Sequence, residues 1–167
     1  RLLKSIYDEV ASFGYGKRLE VLIVESSNDE EQKDRNRSAA DEIERKARQT
    51  GFPKLEFRYI SLGDQLQMIR RLESISGQEL GKKYLGLNRE AKRPEDMAGK
   101  GFAGANNTAL LWLSEQTPSD DTVVLFFDQD VEIGALLGGP EGVRQRKVAH
   151  AFHRISEVFD DPDVYAA

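Results

Sequence analysis

Apolar residues recur at helical spacing over residues 1–13, where Leu3, Ile6, Val10 and Phe13 stand three or four apart with Leu2 beside them. This predicts an amphipathic helix stopped by Gly14 and Gly16. The run Val21-Leu22-Ile23-Val24 predicts a buried strand over 20–24 that ends in the polar cluster Glu25-Ser26-Ser27-Asn28-Asp29. Residues 30–50 are strongly charged, with Ala39, Ala40, Ile43 and Ala47 as a thin apolar stripe, the pattern of a surface helix closed by Gly51. Leu55, Phe57 and Tyr59 alternate with Glu56 and Arg58 before Ile60, which predicts a strand with one face less buried, near a sheet edge. Asp64 is positioned to cap a helix that uses Leu66, Ile69, Leu72 and Ile75 and breaks at Ser76-Gly77. Periodicity fades over 78–101, which reads as a long loop or short helical piece, and a helix resumes over 101–115 through Ala105, Ala109, Leu110 and Leu113.

The next run, Val123-Val124-Leu125-Phe126-Phe127, is the most informative, because its five apolar residues lead into Asp128-Gln129-Asp130. It predicts a strand buried on both faces, with the Phe pair and Trp112 in the core. Residues two apart share a face in extended backbone, so Asp128 and Asp130 would project together at the carboxyl end, where ligands of open α/β sheets bind. Two convergent carboxylates call for a cation, and hard ions such as Mg2+ or Mn2+ prefer oxygen ligands. Beyond them the pattern predicts a loop over 134–142, a helix over 143–159 and the start of a strand over 164–167.

This alternation of helices and strands predicts an α/β fold: three α/β/α layers around a mostly parallel sheet, as one domain over 1–167. The order opens on a helix and closes on a nascent strand, which suits an internal piece of a longer protein truncated at both ends. An apolar fraction of 39% and a charged fraction of 32% exclude a disordered chain. The net charge of -5 argues against nonspecific nucleic-acid binding, which needs a basic face. With no cysteine, disulfides and thiolate zinc sites are excluded, and a reducing, cytoplasmic setting is the expectation. No apolar run approaches the ~20 residues of a membrane span.

A second candidate for chemistry is Gly99-Lys100-Gly101-Phe102-Ala103-Gly104 leading to Asn106-Asn107, since glycines admit a ligand close to the backbone and a helix start offers N–H groups to an anion. The run lacks the spacing of both the Walker A loop and the Rossmann glycine fingerprint. His150 and His153 stand i, i+3 and read as ordinary surface or packing residues. Asp160-Asp161-Pro162-Asp163 reads as a turn.

Taken in order, Val-Leu-Ile-Val-Glu-Ser-Ser-Asn-Asp, Gly-Lys-Gly-x-x-Gly-Ala-x-Asn-x-Ala-Leu and apolar-Asp-x-Asp resemble a GT-A nucleotide-sugar glycosyltransferase, family 2-like or mannosylglycerate synthase-like, over roughly residues 17–133. The resemblance implies a Rossmann-like nucleotide-diphospho-sugar transferase architecture, a UDP- or GDP-linked donor, an unspecified acceptor and Mn2+ or Mg2+ as cofactor. It implies that Asp130 ligates the metal and that Asp128 contacts the ribose or the metal through water. It likewise implies that Glu25 and Asp29 recognise base and ribose, and that Lys100 and Asn107 line the diphosphate or donor sugar. Glu25 stands where the family usually has Asp, and Asn106 where it often has Arg.

Two rival readings share these residues. An apolar strand ending Asp-x-Asp also resembles the first motif of haloacid-dehalogenase-like phosphatases, with Asp128 as nucleophile, although Glu132 replaces the Thr of that motif. The other is a non-catalytic nucleotide-binding α/β module. For Glu25 and Asp29 a helix N-cap is the competing structural role.

Overall fold

The computed structural model describes residues 1–15, 17–52, 55–87, 90–116, 123–127, 133, 135–138, 144–147 and 150–160. The elements are α1 (Leu2–Phe13), β1 (Leu19–Val24), α2 (Glu30–Gln49), β2 (Leu55–Ile60), α3 (Leu62–Ser76), α4 (Leu80–Leu85), a 3-10 turn (Pro94–Met97), α5 (Gly101–Glu115), β3 (Ala135–Gly138), β4 (Arg144–Lys147) and α6 (Ala151–Asp160). The fold is α/β, dominated by helix. Among the described residues there are two small sheets: β1 pairs with β2 in parallel, and β3 pairs with β4 antiparallel. The Glu25 N–H donates to the Ile60 carbonyl at 3.1 Å, so the two parallel strands finish at the same end.

The chain resolves into two compact units. One comprises residues 1–20, 39–56 and 127–167; the other comprises 21–38 and 57–126. In the first, α1 packs against α6, and Ser5 and Glu9 on α1 are 1% and 2% exposed. Ser5 Oγ accepts from the Ile133 N–H at 2.9 Å, and Glu9 Oε2 accepts from the Ala151 N–H at 2.9 Å, which caps α6. A buried carboxylate at a helix N-terminus is favoured by the unpaired N–H groups and the dipole there. In the second unit, Leu62, Leu66, Met68, Ile69, Leu85, Leu87 and Met97 form the core, with Leu72 and Trp112 packed on it. α3 enters that core from a capping box: Ser61 Oγ accepts the Asp64 N–H at 3.1 Å, and Asp64 Oδ2 accepts the Ser61 N–H at 3.0 Å.

Several expectations change. The run 123–127 is not a strand, and its residues are 38–42% exposed; among the described residues β1 and β2 pair with each other and nothing forms a ladder with this segment. Of the expected mostly parallel sheet, the described residues show the β1–β2 pair. Ser61, not Asp64, is the α3 cap, with Asp64 in the third position answering it. Ile75 in the last turn of α3 is 77% exposed, past the end of the core stripe. α5 buries Gly104, Thr108 and Ala109, whereas Leu110 is 47% exposed. The expected loop over 134–142 contains β3, and the expected helix over 143–159 is a strand followed by a helix from Ala151. His150 has φ 58, a left-handed backbone through which a right-handed helix does not continue. The strand expected over 164–167 lies outside the described residues.

Candidate functional site

Glu25 follows directly on β1 and is 2% exposed. Both carboxylate oxygens are filled: Oε1 accepts from the N–H groups of Ser26 (2.8 Å) and Ser27 (2.7 Å), and Oε2 accepts from Asn36 Nδ2 (3.1 Å) and the Tyr59 hydroxyl (2.5 Å). Burial alone would push this carboxyl up, but the bonds from Tyr59, Ser27, Asn36 and Ser26 together hold it below the usual range. Tyr59 responds in the opposite sense: burial and the adjacent carboxylate raise its phenol well above the ordinary value.

Lys100, just before α5, is 9% exposed and points inward. Its Nζ donates to Gln65 Oε1 at 2.5 Å and to the Met97 carbonyl at 2.9 Å. Desolvation lowers its pKa to about 8, with partial opposition from the charge of Glu25. Gln65, on α3 and 0% exposed, completes the connection: its Nε2 donates to the carbonyls of Glu25 (2.8 Å) and Ile60 (3.0 Å). The Gly99 N–H donates to the Ser26 carbonyl at 2.9 Å. The polar cluster after β1 and the glycine-rich segment before α5 are therefore tied together at the carboxyl end of the β1–β2 pair.

Two glycines of that segment have clear local reasons. Gly99 has φ +68, a conformation costly for a residue with a Cβ. Gly104 lies so close to α4 that a Cβ would stand 2.6 Å from the Leu85 carbonyl oxygen and 2.9 Å from Lys100 Cβ. The glycine pattern thus serves packing as well as any ligand.

The remaining expected site residues fare differently. Asp29 caps α2, its Oδ1 accepting from the Gln32 N–H at 2.8 Å, and its own N–H donates to Ser27 Oγ at 3.1 Å. Asn107 Nδ2 donates to the Tyr84 carbonyl at 2.5 Å and so ties α5 to α4. Asp128 and Asp130 lie outside the described residues. Among the described residues no group of three or more His, Asp or Glu is arranged to hold a metal ion. His150 and His153 stack at 4.4 Å between ring centroids, with Phe13 at 4.2 Å from His150, an aromatic packing arrangement.

Sequence reasoning missed Gln65, Tyr59 and Asn36. Gln65 had a readable signal: at i+3 from Leu62 and i−4 from Ile69 it is a polar residue on the apolar stripe of α3. Tyr59 was legible only as an alternating strand position, and Asn36 as one more polar residue on a charged helix.

Chemically, the arrangement offers an ammonium group beside a helix start, next to a carboxylate whose acceptor capacity is already used by four donors. Comparison with protein-family models, with curated proteins and with solved structures returned no match.

Proposed function

We propose that the chain is the nucleotide-binding part of a GT-A-like glycosyltransferase that takes a UDP- or GDP-linked sugar. The observation that carries this reading is the Lys100–Gln65–Glu25 connection, which joins two segments 75 positions apart at the carboxyl end of parallel strands. Ligands of α/β sheets bind beyond that end. Lys100 is the group that would meet the donor diphosphate, and the start of α5 would add unpaired N–H groups to the same anion. Glu25 orders the 26–29 turn that would flank the nucleoside, with Asp29 at the start of α2.

Asp128 and Asp130 are the residues assigned to Mn2+ or Mg2+ on the sequence pattern. Such an ion, when bound, supplies Lewis-acid stabilisation of a nucleoside diphosphate leaving group. Calorimetry with UDP and GDP, with and without Mn2+, tests the reading. Binding strengthened by the metal, with the metal-dependent part lost in Asp130→Ala, is expected. Binding indifferent to both, or none at all, overturns it.

A further inference from the structure

Gln65 is a fully buried amide, and three of its four hydrogen-bonding positions are used by the machinery of the candidate site. Its two N–H groups go to the carbonyls of Glu25, the first residue after β1, and Ile60, the last of β2, and its oxygen accepts from Lys100 Nζ. The set fixes the orientation of the amide, because a flipped Gln65 would aim N–H groups at an ammonium and an oxygen at two carbonyls. No aliphatic residue can make these bonds, and burying a polar side chain is favourable only when its partners are supplied. Glutamate would offer Lys100 a charged acceptor and remove the side-chain donor from both carbonyls, leaving that of Ile60 with the Glu25 N–H alone. The neutral acceptors present, Gln65 Oε1 and the Met97 carbonyl, hold an ammonium less strongly than an anion does, since charge-assisted bonds are about twice as strong as neutral ones.

We propose that Gln65 is the positioning residue of the nucleotide site, holding Lys100 in a cradle of neutral oxygens from which the ammonium moves to the diphosphate of a bound nucleotide. The inference rests on the nucleotide-binding reading above. Gln65 itself does not touch the ligand: it is sealed from solvent and acts through Lys100. It also sets where Lys100 starts from, because its other two bonds anchor it to the strand ends.

A double-mutant cycle on the full chain tests this, with UDP and GDP in the presence of Mn2+ as probes. Lys100→Met is expected to weaken binding of the preferred nucleotide by at least about tenfold, and Gln65→Leu by a comparable factor. The double variant is expected to bind as Lys100→Met alone does, because Gln65 has nothing left to position. Losses that multiply would overturn the inference, as would a Gln65→Leu variant that binds like the wild type. If the wild type binds neither nucleotide, the functional reading itself falls, an outcome separate from multiplying losses. Should Gln65→Leu fail to fold, Gln65→Glu serves with NMR titration of the lysine side chains. The Lys100 midpoint, about 8 in the wild type, is expected to rise in Gln65→Glu as nucleotide affinity falls. An unmoved midpoint would contradict the cradle.

Discussion

Tyr59 and Glu25, 34 positions apart, meet through a hydrogen bond of 2.5 Å in which the phenol donates to Oε2 of a carboxylate that is 2% exposed. The bond joins the next-to-last residue of β2 to the first residue after β1, so it locks the ends of the parallel pair by side chains as well as by backbone. Tyr59→Phe keeps the ring and removes the donor. Its expected cost is roughly 1.5–3 kcal/mol, the range for a hydrogen bond to a charged group. Chemical denaturation with an unchanged slope would measure it; a loss below about 0.5 kcal/mol would show that Asn36 and the two backbone N–H groups suffice.

Stability should depend on alkaline pH through Lys100. Its folded pKa of about 8 lies below the unfolded value near 10.5, so the unfolded chain binds more protons between the two and stability rises with pH across that window. The gain amounts to at most about 3 kcal/mol. Above about pH 10 Tyr59 works in the other direction, because its raised phenol stays protonated in the fold while the unfolded chain ionises. Thermal melts between pH 7.5 and 9.5 should climb in the wild type and stay flat in Lys100→Met. Equal slopes in both would remove Lys100 as the cause.

At the acid end the sign reverses. Glu25 is held below its usual value, so it stabilises the fold above the unfolded carboxylate pKa and loses that contribution as pH falls through the folded one. Glu25→Gln should flatten the acid limb of the stability curve below about pH 4.5. An acid limb identical to the wild type would contradict this.

Gly104→Ala should be destabilising although alanine is the better helix former. The added Cβ would stand 2.6 Å from the Leu85 carbonyl oxygen, and backbone cannot yield as a flexible side chain can. Overpacking of this kind costs roughly 1–3 kcal/mol and outweighs a helix-propensity gain of about 1 kcal/mol. A variant more stable than the wild type would mean that α4 and α5 separate easily.

Two large apolar residues should respond in opposite ways to truncation. Ile69, 1% exposed in the core of the second unit, should cost roughly 2–5 kcal/mol as Ile69→Ala. Phe126, 40% exposed and outside any strand, should cost less than about 1.5 kcal/mol as Phe126→Ser, and its removal should improve solubility. Denaturation midpoints and a solubility assay on the two variants would decide. A Phe126→Ser loss as large as that of Ile69→Ala would mean that the run 123–127 is buried after all.

Local patterns made much of this legible in the sequence. Periodicity predicted α1, α2, α3 and α5 within two residues at each end except the start of α3, and alternation predicted β2. Each signal is carried by residues close together in the chain. Pairing is not: whether Val123 to Phe127 makes a strand depends on a partner's backbone, and β1 and β2 do not supply one. The left-handed backbone of His150, which separates β4 from α6, likewise has no periodic signature. At the candidate site Glu25 and Lys100 were visible as charges at the ends of predicted elements. Their connection was not, because it runs through Gln65, whose meaning lies in three partners drawn from the residue after β1, the end of β2 and the segment before α5.

Each compact unit is assembled from separated stretches, and the order of those stretches bears on synthesis. Once residue 126 has left the ribosome, every residue of the unit comprising 21–38 and 57–126 is available, whereas the other unit still awaits 127 onward. The stretches that hold Glu25, Gln65 and Lys100 are therefore all available to meet before residues 127–167 emerge on the growing chain. The same interleaving means that no single cut yields both units intact, since any contiguous fragment carrying all of 1–20, 39–56 and 127–167 also carries the other unit.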